Sequence, residues 1–178
     1  MTRRTWSLTT LVLAVVVLML GGAMTATALL RDDGGEELRA AAAPWRSDDD
    51  ELTRLHKEVA AAARAETLAF LAVDYRGMDP IMDRVLEGAT GDFAEQYEAS
   101  LEDLKEQAVA NRTISTATVV ALGVADLDAE SAIVYVAADS EVQSKDTGGK
   151  AQPRYHRLQL DMVREGGEWL ASSVQFVG

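Results

Sequence analysis

Four residues between positions 74 and 97 carry the side chains needed to abstract a proton beside a carbonyl group. That reaction requires a buried carboxylate with a tyrosine nearby, and the candidates are Asp74, Tyr75, Asp79 and Tyr97. Each also has a structural interpretation: Asp79 would cap a helix begun by Pro80. Tyr97 falls on an apolar helix face, and the other two fall at a helix end. We therefore expect no enzymatic activity, with an isomerase or hydratase that uses Asp74 or Asp79 as the alternative.

The two histidines and the lack of cysteine limit other chemistry. His56 falls among charged neighbours on a helix and is expected to be solvated. His156 has the strand parity of Leu158 and Leu160, so it is expected at the rim of a cavity or in a structural contact. A zinc site would need carboxylates at a ligand spacing that the sequence does not offer, and a thiol nucleophile is excluded. The sequence predicts no catalytic, cofactor-binding or metal-binding residue and leaves the ligand-binding residues open.

Charge divides this chain of 178 residues into two parts. The 17 Lys and Arg residues against 29 Asp and Glu residues give a net charge of −12, which excludes a basic nucleic-acid binder. Residues 1–31 contain Arg3, Arg4 and Arg31 and no acidic residue. A basic start followed by an acidic body suggests a membrane boundary between them.

The segment from Thr5 to Leu30 is uncharged and exceeds the about 20 residues that cross a hydrocarbon core. Arg3 and Arg4 favour a cytoplasmic N-terminus. The sequence therefore predicts a single-pass anchor over residues 1–30 in the cell membrane, with the C-terminal domain extracytoplasmic. The competing interpretation is a signal peptide cleaved near Ala28.

An acidic linker is predicted over residues 31–51 and one folded domain over residues 52–178. The acidic residues that end the linker favour a solvated spacer, in which Trp45 would touch the membrane surface or a partner. Ser47 or Asp48 would cap a long helix that runs to about Asp74. The apolar face of this helix consists of Leu52, Leu55, Val59, Ala63 and Phe70.

Two shorter helices are predicted next, one from Asp79 to Gly91 and one from about Asp92 to Ala110, whose acidic face is expected to be solvated. The periodicity then changes to that of four strands, at about 113–124, 131–138, 154–163 and 169–177, with a polar loop over 139–153. Gly166 and Gly167 predict a tight hairpin turn, and Trp169 is expected in the core or in the wall of a lipid pocket. Three helices packed on a four-stranded antiparallel sheet give an α+β domain that can form a cone around a pocket.

Several stretches, in their order and spacing, resemble the Mce-associated membrane proteins of actinobacteria. They are the N-terminal span, Ala72–Tyr75, Asp79, Arg84–Phe93, Tyr97, Val119–Val124 and Gly167–Val174. The resemblance implies an NTF2-like or VirB8-like cone outside the membrane. It also implies a role beside Mce lipid importers, which combine a permease, a cytoplasmic ATPase and tube-forming Mce proteins. It carries over no functional residue, although NTF2-like cones do host acid–base enzymes.

The functional expectation is a non-enzymatic, membrane-anchored accessory protein that assists or stabilises a Mce-type lipid import complex. Its expected partners are the membrane, the permease and the Mce proteins, with a lipid as a further ligand, and no cofactor or nucleic acid is expected. One alternative is a carrier that holds a lipid or another small apolar ligand in the cone. The other is a VirB8-like assembly factor of a secretion machine.

Overall fold

Three helices and a five-stranded antiparallel sheet form the computed structural model, which describes residues 35–177, with side chains from Asp49 onward. The helices are α1 (Gly35–Leu71), α2 (Asp79–Glu87) and α3 (Gly91–Asn111). The strands are β1 (Val73–Asp74), β2 (Ile114–Leu127), β3 (Ser131–Gln143), β4 (Gln152–Glu165) and β5 (Glu168–Phe176). The predicted α+β class and antiparallel sheet are confirmed.

The chain divides into two compact units, the first ending at Glu51 and the second spanning Leu52–Gly178. The prediction that the long helix begins at Ser47 or Asp48 is wrong, because α1 begins at Gly35. The alanine run over 40–43 favours an earlier start of the helix, since alanine is the strongest helix former. The predicted span over residues 1–30 lies outside the described residues, among which no helix is both long and apolar enough to cross a membrane.

The sheet has five strands rather than the predicted four, because α1 ends at Leu71 and not near Asp74. The two residues of β1 pair with Ile114 and Ser115 at the start of β2. The Ser115 hydroxyl donates to the Leu71 carbonyl oxygen over 2.8 Å, which satisfies one of the carbonyls left free at a helix end. Pairing with β2, which is distant in sequence, therefore ends α1 before the point that its helical pattern predicts.

Strands β3 and β4 are longer than predicted and shorten the loop between them to residues 144–151. Every strand pairs with its sequence neighbour, in the order β1-β2-β3-β4-β5. Register shifts near Val120, Ala125 and Asp161 interrupt the ladders, and such bulges bend and twist a sheet. The predicted turn is confirmed, with φ of 60° at Gly166 and 93° at Gly167, as a two-residue hairpin requires.

The core forms where α1 covers one face of the sheet. Leu55, Val59 and Ala63 are buried against sheet residues such as Leu158 and Leu160. The buried face differs from prediction at Leu52, whose side chain is 48% exposed. A second, smaller cluster contains Met78 and Met82 from the α2 region and Ala108 from α3.

Candidate functional site

A cavity of about 390 Å³, which we name the apolar cavity, lies between the end of α1, α3 and the sheet. Its lining is mostly apolar and includes Phe70, Met78, Tyr97, Leu104, Val142 and Phe176. The Phe70 ring lies 6.4 Å from the Tyr97 ring and 6.1 Å from the Phe176 ring, between centroids. These separations are those of packed aromatic pairs, so the aromatic wall is formed by the domain itself.

Two groups in the apolar cavity can act as polar anchors. The His156 Nε2 atom shares a 2.9 Å hydrogen bond with the Ser140 hydroxyl, and both residues line the cavity. Tyr97 is half-buried, and its burial, followed by the charge of Glu66, raises the pKa of its phenol. A largely apolar pocket with a few polar anchors is typical of a small-molecule site. The arrangement suits an apolar ligand that bears one polar group.

The two carboxylates of the enzymatic alternative, Asp74 and Asp79, do not line this cavity. Asp74 accepts two side-chain hydrogen bonds from Arg76, at 2.7 and 2.5 Å, and these bonds lower the pKa of Asp74 to about 2. Asp79 pairs with Lys105 of α3 over 2.6 Å and is 73% exposed. Neither carboxylate therefore lies inside the apolar cavity, where an isomerase or hydratase of this kind would need it.

The remaining sequence candidates fall in different places. Met78 occupies the N-cap of α2, so Asp79 lies in the first turn and is not the predicted cap. Tyr75 is partly buried against the Met78 cluster, His56 is exposed as predicted, and the Trp45 side chain lies outside the described part of the chain. Among the described residues, no three His, Asp or Glu side chains are grouped so that they could hold a metal ion.

A second cavity, of about 460 Å³, lies between α1, the end of α2 and the β4–β5 hairpin. We name it the Glu66 cavity. Glu66 is 3% exposed and Trp169 6% exposed. Within the described structure, Glu66 Oε1 and Trp169 Nε1 have no hydrogen-bond partner. The predicted core position of Trp169 is confirmed, but its N–H group is left unmatched in a cavity wall.

The buried carboxyl group of Glu66 fits against the end of α2. A Cβ atom placed on Gly88 would overlap Glu66 Oε2, so glycine at this position leaves room for the carboxyl group as it lies here. Burial raises the pKa of Glu66 to about 8, because an apolar setting disfavours the charged form. At neutral pH the Glu66 cavity therefore contains a protonated carboxylic acid.

Sequence reasoning missed Glu66, although the pattern of α1 contained a signal. The predicted apolar face steps by seven residues from Ala63 to Phe70. The helical positions between them on that face are Glu66 and Thr67, and both are buried. The Thr67 hydroxyl donates to the Ala63 carbonyl oxygen over 2.7 Å, whereas Glu66 has no such local partner. An acidic residue that fills a gap in an apolar stripe is thus the sign of a buried carboxyl group.

The family described as uncharacterized protein Rv1363c/MT1408-like matches residues 9–178. The chain belongs to this family. A curated relative, the uncharacterized protein Rv1363c of Mycobacterium tuberculosis, is 30% identical over 118 residues, which make up 66% of this chain. The chain spans 45% of that relative's length.

Two solved structures share the fold. CagV, a VirB8 homologue of the type IV secretion system of Helicobacter pylori, gives a TM-score of 0.55 at 7% identity, over 68% of this chain and 97% of CagV. The periplasmic domain of DotI gives 0.56 at 13% identity, over 67% of this chain and 92% of that domain. The predicted VirB8-like fold of this Rv1363c-like chain is confirmed.

Proposed function

We propose that the protein is a non-enzymatic accessory subunit, anchored by residues 1–30 in the cell membrane, that assists or stabilises a Mce-type lipid import complex. The anchor leaves the N-terminus in the cytoplasm and the cone outside. Restriction to the membrane plane raises the effective concentration of the cone beside an integral complex. The partners in this proposal are the permease and the Mce proteins.

The observation that carries the proposal is the order of two segments. An uncharged stretch from Thr5 to Leu30 precedes a cone whose fold is shared with the periplasmic domain of DotI. The resemblance of residues 72–97 and 167–174 to Mce-associated proteins supplies the kind of complex. The acidic side chains of α3, exposed at Glu95, Glu98, Glu102, Asp103 and Glu106, offer a charged surface for a partner protein.

A second candidate function is the transport of a lipid or another small apolar ligand by the cone. The apolar cavity supports it, because a carrier needs an unfilled apolar pocket of several hundred Å³ and this one measures about 390 Å³. The His156–Ser140 pair would then hold the polar end of the ligand. A ligand carrier of this kind could also serve as the accessory subunit of a lipid importer.

The deciding experiment is co-purification from native membranes. The tagged full-length protein is extracted in a mild non-ionic detergent, and the proteins recovered with it are quantified by mass spectrometry. The matched control keeps residues 1–51 and replaces residues 52–178 with an unrelated soluble domain. Enrichment of a permease and Mce proteins with the full chain, and not with the control, is the expected result.

Two other outcomes would contradict the accessory role in lipid import. Enrichment of secretion-machine subunits would favour a VirB8-like assembly factor, the third candidate, which shares its fold with CagV. Recovery of the protein alone would favour the ligand carrier. Solvent extraction of the purified protein, followed by mass spectrometry for a stoichiometric lipid, then tests the carrier directly.

A further inference from the structure

The Glu66 cavity has an acidic wall that the proposed function does not use. Five of its lining residues are ionisable, and four of these are acidic: Glu58, Glu66, Glu87 and Glu168, against Arg84. Glu58 pairs with Arg54 over 2.7 Å and lies 3.8 Å from Arg164. Glu87 and Glu168 form no ion pair with any described residue. The unpaired carboxylates of Glu87 and Glu168 therefore outnumber the one lining cation, Arg84, at the rim of the cavity.

Two buried polar atoms in the same wall lack partners. Glu66 Oε1 is an acceptor, and Trp169 Nε1 is a donor. Both side chains are more than nine-tenths buried, and buried polar groups are almost always hydrogen-bonded. The domain alone thus leaves one acceptor and one donor unmatched in two residues that line a cavity of about 460 Å³.

We propose that the Glu66 cavity binds a small organic cation whose primary ammonium group pairs with Glu66 and whose neighbouring oxygen accepts a hydrogen bond from Trp169. The ammonium ion supplies the charge that the acidic rim attracts, and the oxygen uses the free N–H group. A metal ion is a poorer fit, because the described residues offer no cluster of three ligands.

Binding is coupled to loss of a proton from Glu66. At neutral pH the carboxyl group carries a proton, since burial raises its pKa to about 8. The incoming ammonium ion stabilises the carboxylate, so the proton passes to the buffer. Glu58 on α1, Arg84 and Glu87 on α2, Glu168 on β5 and Tyr97 on α3 are the other ionisable groups that face the cavity or act on Glu66.

The test is calorimetric titration of the full-length protein in a non-ionic detergent with ethanolamine at pH 7, in two buffers that differ in ionisation enthalpy. The difference in heat measures the protons released, and about one per site is expected. Ethylene glycol, which has a hydroxyl group in place of the ammonium group, is the neutral control ligand. Glu66→Gln should weaken ethanolamine binding by at least about tenfold and abolish proton release.

Glu141→Gln, at an exposed position of β3, makes the same substitution outside the cavity and should leave binding unchanged. In protein labelled with ¹⁵N, the indole N–H signal of Trp169, assigned with Trp169→Phe, should shift on titration. Equal affinity for ethylene glycol, equal binding by Glu66→Gln, or no shift of the Trp169 signal would each overturn the proposal. This proposal is independent of the accessory role.

A parallel titration with glycerophosphoethanolamine distinguishes a free amine from a lipid headgroup. Tighter binding of ethanolamine supports a free amine, and is expected because the rim acids repel a phosphate. Tighter binding of the phosphate ester, if it is also lost in Glu66→Gln, supports the same cation site with a lipid headgroup as the source.

Discussion

The carboxyl group of Glu66 occupies the space in which a side chain at Gly88 would lie, since a Cβ atom there would come within 2.1 Å of Glu66 Oε2. Gly88 also caps the C-terminal end of α2, and its carbonyl oxygen accepts a 2.8 Å hydrogen bond from the Ala171 amide of β5. A buried acid on α1 therefore rests on the point where α2 joins the sheet.

The first prediction is that Gly88→Ala destabilises the domain by about 1–3 kcal/mol, the usual range for overpacking. The φ of −95° at Gly88 is open to alanine, so the loss comes from the clash with Glu66. Gly77→Ala is the matched control, because a Cβ atom at Gly77 meets nothing within 4 Å. Urea denaturation of both variants provides the measurement. An equal effect at the two positions would show that the Glu66 contact is unimportant.

The second prediction is that Glu66→Gln removes a specific pH dependence of stability. The pKa of Glu66 rises from 4.5 to about 8 on folding, so the native state holds a proton that the unfolded state releases between these values. The contribution of Glu66 to the free energy of unfolding is fully present below pH 4.5. It falls by up to about 1.4 kcal/mol per pH unit as the pH rises toward 8. The glutamine side chain of Glu66→Gln does not titrate, so the variant does not lose this stability as the pH rises.

Denaturation of the parent and of Glu66→Gln at several pH values measures this effect. The stability gained by the variant should grow from pH 5 to pH 8 and then level off. Glu102→Gln, an exposed change on α3, should follow the parent at every pH. Parallel curves for the parent and Glu66→Gln would contradict the buried, protonated carboxyl group.

The third prediction is that Arg112→Gly stabilises the domain by about 1 kcal/mol. Arg112 follows α3 with φ 52° and ψ 49°, and within residues 35–177 no other non-glycine residue has a positive φ. A left-handed residue with a Cβ atom is strained, and glycine is the preferred residue after a helix end. Arg112→Ala keeps the Cβ atom and should give no gain. Thermal unfolding of the two variants separates relief of strain from loss of the guanidinium group.

The fourth prediction concerns the apolar cavity. Ala108 lies in its wall and is 6% exposed, whereas the next residue, Val109, is 51% exposed. Phenylalanine at position 108 should fill the cavity and abolish saturable binding of the neutral fluorescent probe N-phenyl-1-naphthylamine. Val109→Phe adds a similar apolar side chain outside the cavity and should bind the probe like the parent.

Fluorescence titration of fragment 52–178 in aqueous buffer measures this binding, since that fragment is one compact unit and detergent would itself take up the probe. Circular dichroism verifies that both variants remain folded. Probe binding by folded Ala108→Phe with the parent's affinity would place the ligand elsewhere than in the apolar cavity.

Elements set by local pattern could be predicted from the sequence, and elements set by distant partners could not. The alternation through Leu158, Leu160 and Met162 marks β4, and two glycines mark the following turn. Strand β1 has only two residues, and its partners are Ile114 and Ser115 of β2. No periodicity can reveal so short a strand.

The same distinction applies to the candidate sites. Tyr97 and His156 line the apolar cavity, as an apolar helix face and strand parity suggested they could. Asp79 was expected to cap α2 from its neighbours alone, but Lys105 pairs with it from the next helix. The burial of Glu66 depends on α1, α2 and β5 together, so the gap in the apolar stripe indicated it only indirectly.

The pairing of each strand with its sequence neighbour bears on the order of folding. Hairpins close short loops at a small entropic cost and form early, so β2 to β5 can assemble as the chain emerges during synthesis. The hydrogen bond between Gly88 and Ala171 joins segments far apart in the chain and must wait for the last strand. In the unfolded chain the Glu66 carboxyl group is hydrated and ionised at neutral pH. Its burial at this junction raises its pKa to about 8, so folding at neutral pH takes up a proton.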